Sequence, residues 1–161
     1  MSTFDVDDLR GKVAATIPAG PDAVFRTITA ITGLPTWNDA IHEVVDVPEA
    51  LVVGAEWVVE MHALGQSWRS RSTLTDLDPR TRHFCYRSRT DDGNPSWAEW
   101  QWSVIDHPAG AEVTVTWALH PVTFWRRVLF SHIRGRQLAR TEVPASLAAL
   151  SQRLAATTPS G

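Results

Sequence analysis

The sequence predicts an α+β domain: a curved antiparallel sheet of about seven strands wrapped around a long C-terminal helix, with two short helices after the first strand. Three observations carry this expectation. Apolar and polar residues alternate with a period of two through successive stretches between residues 42 and 119. Short clusters rich in Gly, Pro, Asp and Asn separate those stretches. Beyond residue 121 the period changes, and Val122, Val128, Leu129, Ile133, Leu147, Leu150 and Leu154 recur at helical spacing. Sequential strands followed by one covering helix are an α+β layout.

Taken in order, Val13, Ala15 and Ile17 alternate and set a first strand over 11–17. PAGPD stops it and opens a helix, with Pro21 at a first helical position where its missing N–H costs nothing. Val24, Phe25, Ile28 and Ile31 share one face of that helix, and Gly33 is a candidate stop. A second short helix is expected over 34–40. Strands then follow at 42–47, 55–63, 66–77, 82–90, 96–106 and 111–119, joined through PEALVVG, LGQ, DLDPRT, DDGNP and DHPAG. Gly54, Gly65 and Gly110 stand at strand ends, where they permit curvature. Pro121 opens a helical segment reaching about Ala156. Pro144 lies inside it, so the helix is expected to kink or break near Thr141–Pro144, with Thr141 a candidate N-cap of a fresh start. No internal repeat is present; residues 1–8 and 157–161 read as tails, and 1–161 reads as one domain with its core over about 11–156.

Composition narrows the function. With 161 residues, 43% apolar and 20% charged, the chain has the make-up of a globular protein with a real core. A formal net charge of −3 gives no general electrostatic case for nucleic acid. MSTFDVDDLRG lacks an apolar signal core, and no apolar run approaches the roughly 20 residues that span a bilayer, so the cytoplasm is the expected compartment. Cys85 is the single cysteine, the six histidines are scattered, and no phosphate loop, dinucleotide fingerprint, H-E-x-x-H or C-x-x-C occurs. No metal and no cofactor is expected.

Strand alternation sorts the sheet into two faces. One carries Trp57, Val59 and Met61; Trp68, Ser70 and Ser72; Phe84, Tyr86 and Ser88; Trp100 and Trp102; and Val115 and Trp117. The other carries Glu56, Glu60, Arg69, Arg71, Arg87, Arg89, Glu99 and Glu112, with opposite signs on neighbouring strands, as on a solvated face. The aromatic face needs a cover, and the C-terminal segment supplies Trp125 and Leu129 among others. Two outcomes are open: a solid core, or a lumen with indole N–H groups, serines and Tyr86 as its polar points.

The order of elements resembles the polyketide cyclase/dehydrase and START-like superfamily, the helix-grip fold shared with the birch-pollen allergens. VAATIPAGPDAVF resembles its opening strand and helix, GLPTWN the tryptophan that follows, LTDLDPRTRHFCY the strand–Asp-Pro–strand corner, and AGAEVTVTW the late Gly-containing turn and strand. The resemblance covers about residues 11–156. It implies a cavity between sheet and helix that holds apolar ligands such as lipids, sterols, polyketides or quinones.

The expected function is therefore to bind or carry an apolar or aromatic small molecule. The residues expected to line its site are those of the aromatic face named above other than Ser88, together with Trp125 and Leu129. A cyclase, aromatase or dehydratase acting in the same cavity is the alternative, and a regulatory protein with little cavity is a third. Catalysis needs an acid or base within reach of substrate. The inner face offers only Tyr86 and serines; further candidates, Asn38, Asp39, His42, His120 and His132, fall at the mouth, and no catalytic residue is assigned. Residues 122–140 carry Arg126, Arg127, Arg134, Arg136 and Arg140 without an acid, a composition suited to transient contact with an anionic membrane surface.

Overall fold

The computed structural model describes residues 9–63, 65–91, 95–121 and 137–157. The strands form where the alternation places them: β1 (Arg10–Ile17), β2 (Ile41–Asp46), β3 (Glu56–Ala63), β4 (Gln66–Asp78), β5 (His83–Thr90), β6 (Trp97–His107) and β7 (Gly110–His120). They make one antiparallel sheet in the order β1-β7-β6-β5-β4-β3-β2. Each strand from β2 to β7 pairs with the next in sequence, and β1 joins the far edge beside β7.

The register puts the inner residues opposite one another. Met61 faces Trp68, Trp57 faces Ser72, Phe84 faces Trp102, Tyr86 faces Trp100, and Trp100 faces Trp117. A one-residue irregularity between Leu74 and Asp76 in β4, and two more in β2, bend these strands. Two glycines are demanded by close approach. A Cβ on Gly11 would overlap the Trp117 ring beside it, and one on Gly110 (φ +139°) would meet the backbone of Ile17 and Ala19.

On the outer face, Arg71 bonds Asp91 (2.9 Å) and Glu56 (3.3 Å), and Arg87 bonds Glu99 (3.2 Å). These half-exposed pairs accommodate the charges the alternation sent outward. Arg69 and Arg87 are exposed as expected, whereas Arg71 and Glu99 are half-buried by their partners.

Helix α1 (Pro21–Thr29) has Pro21 in its first turn and buries Val24, Phe25 and Ile28. Gly33 is not its stop. The Thr27 and Thr29 hydroxyls bond back to the carbonyls of Ala23 and Phe25 (3.0 Å each), and Ala30 turns to an extended conformation. The second helix is likewise earlier and tighter than the expected 34–40. It is a 3₁₀ helix over Ile31–Thr36 that contains Pro35. Residues 37–40 instead turn into β2, with the Ala40 N–H donated to Asn38 Oδ1 (3.2 Å) and the Ile41 N–H to the Asn38 carbonyl (3.1 Å).

Of the kink or break expected at Pro144, the break does not occur, and Thr141 does not open a fresh helix: a π turn over Leu138–Glu142 runs directly into helix α2 (Val143–Thr157). Pro144 has no N–H to give the Arg140 carbonyl, and the Val143 N–H reaches back to Leu138, so the lost bond is absorbed by widening one turn. Trp125, Leu129, His132 and most of the basic stretch, Arg126, Arg127, Arg134 and Arg136, lie outside the described residues; Arg140 is described and exposed.

Val143, Leu147, Leu150 and Leu154 of the C-terminal segment join Val24, Phe25, Ile28, Ile31 and Leu34 over Ile17, Val113 and Val115 in one buried cluster. Full burial of a side chain such as Leu150 is worth about 2–3 kcal/mol. Among the described residues no helix is long and apolar enough to cross a membrane.

Candidate functional site

The aromatic face is only partly covered. Among the described residues, helix α2 packs against β1, and α1 against β6 and β7, while neither packs on the concave surface of β3 to β5. There a cavity of about 610 Å³ remains.

Strand alternation builds its floor from Trp57, Val59 and Met61 of β3, Trp68, Ser70 and Ser72 of β4, Phe84, Tyr86 and Ser88 of β5, and Trp100 and Trp102 of β6. Ile28, Leu34 and Trp37 form one side, and Leu138, Glu142, Val143 and Ser146 the roof. The rings pack on one another: Trp57 lies 5.2 Å from Tyr86 and 5.9 Å from Phe84, and Trp37 stands edge-on to Trp102 at 5.5 Å. Of the tryptophans expected on this face, Trp57, Trp102 and Trp117 are buried, while Trp68 and Trp100 are half-buried because they wall the open space.

Two expected site residues do not reach the cavity. Val115 is fully buried and Trp117 is 4% exposed, its ring packed over Gly11 of β1. They share the inner face but lie where the helices close it. Trp125 and Leu129 fall outside the described residues. Arg69, Arg71 and Arg87 stay off the cavity wall; Arg89, at the end of β5, reaches its rim with Thr90.

The polar content is small and concentrated. Three polar residues are buried among the described residues, Ser72, Glu142 and Ser146, and all three line the cavity. Ser146 also accepts the Asp39 N–H (3.4 Å), tying α2 to the start of β2. Trp100 Nε1 donates to Ser88 Oγ (3.1 Å) and Trp102 Nε1 to Tyr86 Oη (3.4 Å). Burial pushes the Tyr86 hydroxyl up to about 12; the Trp102 bond opposes this, and the negative field of Glu142 adds to it. Tyr86 is thus neutral at ordinary pH. Trp37 Nε1 is buried with no hydrogen-bond partner among the described residues.

Of the mouth candidates, Asn38 and His120 line the cavity and Asp39 and His42 do not. His120 stacks on Trp97 (3.9 Å), over which Arg87 also sits (4.5 Å), while His42 stacks on His62 (4.3 Å). Burial raises the Cys85 thiol, as do Asp76 and Glu99, which suits an inert thiol on the outer side of β5. Among the described residues no three His, Cys, Asp or Glu side chains are grouped to hold a metal.

Glu142 is the buried ionisable group among the cavity residues that sequence reasoning missed, which also include Trp37, Leu138 and Ser146. Its signal was present: Leu138, Glu142, Ser146 and Leu150 follow one another at i, i+4 and share one helical stripe, which places an acid between buried leucines. Pro144 drew attention to that turn as a helix start instead.

Comparison with solved structures places the chain among helix-grip proteins. It superposes on the Zhui aromatase/cyclase from Streptomyces sp. R1128 with a TM-score of 0.72 at 16% identity, covering 91% of this chain and 93% of that one. The protein Ara h 8.0201 gives 0.68 at 15% identity, covering 92% and 98%. The di-domain aromatase/cyclase BexL of the BE-7585A biosynthetic pathway gives 0.72 at 20% identity, covering 93% of this chain and 48% of that one. At such identities these likenesses establish the fold. No curated protein sequence matches the chain significantly. The sequence profile of one family, described as polyketide cyclase / dehydrase and lipid transport, matches residues 9–156. Through that match, over nearly its whole length, the chain belongs to the polyketide cyclase / dehydrase and lipid transport family.

Proposed function

We propose that this protein binds or carries an apolar or aromatic small molecule between its sheet and its C-terminal helix. The observation that carries the reading is the cavity itself: about 610 Å³, walled by tryptophans, tyrosine and phenylalanine, with its few buried polar groups turned inward. A space of that size leaves the reading with little cavity without support. A ligand burying about 300 Å² of apolar surface gains roughly 7 kcal/mol at ~25 cal/mol/Å², against association costs of about 4–15 kcal/mol. Hydrophobicity alone therefore gives weak and promiscuous binding, and selectivity falls to the polar points. A cytoplasmic place of work belongs to this reading, supported by the lone Cys85. So does ligand exchange at an anionic membrane, supported by the acid-free arginine composition of 122–140.

Titration with fluorene, a flat hydrocarbon, tests it: tryptophan fluorescence falls and the thermal midpoint rises. A flat titration with no thermal shift overturns the reading.

One observation favours a cyclase or dehydratase as the second reading. Glu142 puts a buried carboxyl in the wall, near enough to act on Tyr86. Incubation with an ortho-hydroxyaryl β-diketone, whose phenol oxygen can close on the far carbonyl with loss of one water, separates the two. Recovery unchanged supports binding, whereas cyclised or dehydrated product that Glu142→Gln abolishes supports catalysis.

A further inference from the structure

The hydrogen bonds inside the cavity have a direction. An indole Nε1–H only donates, so the Tyr86 and Ser88 oxygens must accept from Trp102 and Trp100. Each hydroxyl keeps its own proton, and among the described residues nothing accepts either one. Both hydroxyls line the cavity.

The arrangement repeats along the sheet. Trp102 is paired across β5–β6 with Phe84 but bonds Tyr86; Trp100 is paired with Tyr86 but bonds Ser88. Each indole thus reaches diagonally to the hydroxyl two residues further along β5. The two donors come from positions about 7 Å apart on one strand and one face. A hydroxyl that already accepts a hydrogen bond is a stronger donor than an isolated one.

We infer that Tyr86 and Ser88 are specificity-determining donors that select ligands carrying carbonyl oxygens on an apolar frame, with Trp102 and Trp100 as the residues that position them. This rests on the binding reading above and adds to it a preference for acceptor oxygens over plain hydrocarbon. Burial keeps the Tyr86 proton in place at ordinary pH, so the donor is present whenever the ligand arrives. Trp102 occupies the phenol oxygen as an acceptor, which leaves its proton for a ligand oxygen.

The test compares 9-fluorenone with fluorene, two tricycles of nearly the same shape that differ by one carbonyl. Calorimetry on the full chain is expected to show fluorenone binding about tenfold more tightly, the equivalent of one net hydrogen bond. The carbonyl infrared band of bound fluorenone is expected below its position in hydrocarbon solvent. Tyr86→Phe and Ser88→Ala each reduce the preference, and together they abolish it and return the band to its hydrocarbon position; the preference is the ratio of the two affinities within each variant, so a change in cavity packing that acts on both tricycles cancels. Trp102→Phe keeps the Tyr86 hydroxyl but loses its orientation, so the band shift shrinks, a change that packing alone does not produce. Equal affinities with an unshifted band, or a preference that survives the double variant, overturn the inference and leave the binding reading standing. Failure of both tricycles to bind overturns that reading and the inference with it.

Discussion

Alkali addresses one phenol in this protein, because Tyr86 is its single tyrosine and every phenolate signal belongs to it. Its hydroxyl titrates at about 12, held there first by burial, with the Trp102 N–H working the other way and the Glu142 carboxylate adding to the shift. In the unfolded chain a phenol titrates near 10. The folded value lies above the unfolded one, so the linked stability is whole below about pH 10 and is lost as pH rises from there through about 12. A difference of about 2 units at ~1.4 kcal/mol each makes that loss at most about 3 kcal/mol, a large share of a small domain's stability. The assay follows the near-ultraviolet phenolate band against pH, with far-ultraviolet circular dichroism on the same samples. The phenolate is expected only near pH 12, or earlier in step with loss of the sheet signal, and a Tyr86→Phe control stays flat. A complete titration near pH 10 with the dichroism intact refutes the buried, Trp102-bonded hydroxyl.

Two further predictions follow from the packing. Gly11→Ala drives a methyl into the Trp117 indole, so calorimetric melting should fall by roughly 2–10 °C for about 1–3 kcal/mol of overpacking; Gly11→Ala with Trp117→Leu should regain part of it, and an unchanged single variant would remove the close approach. Ser72→Phe fills the cavity from β4, so fluorene binding should weaken at least about tenfold, by the ~1.4 kcal/mol that partial exclusion costs, while dichroism stays native; full affinity in that variant would place the ligand elsewhere.

The strands were legible because a period of two, bounded by turn residues, survives any tertiary context that leaves one face buried. That is why each strand end falls within one residue of its expected place. The helices were less so. The stop of α1 depends on the Thr27 and Thr29 hydroxyls donating to the Ala23 and Phe25 carbonyls one turn back, and the fate of the chain at Pro144 on a π turn that absorbs the missing N–H. Neither outcome is encoded in residue type alone. In the site, alternation correctly named which side chains face inward, and ten of the fourteen expected residues line the cavity. It carries no information on which stretch of that face the helices close, so Val115 and Trp117 were assigned to a lumen and belong to the core. Glu142 was readable only by extending the leucine stripe of α2 back across Pro144.

The most direct test of the central claim, an accessible cavity on the concave face, is a two-dimensional nitrogen–proton spectrum of the labelled protein titrated with fluorene. The chain has eight tryptophans, so eight indole N–H signals report on it from all sides. The account predicts that the signals of Trp57, Trp68, Trp100 and Trp102 move with ligand, together with the amides of Ser72 and Ser146, while the amides of Lys12 and Ala14 on the far edge strand hold still. Shifts confined to β1 and its neighbours, or none at saturating fluorene, would contradict it.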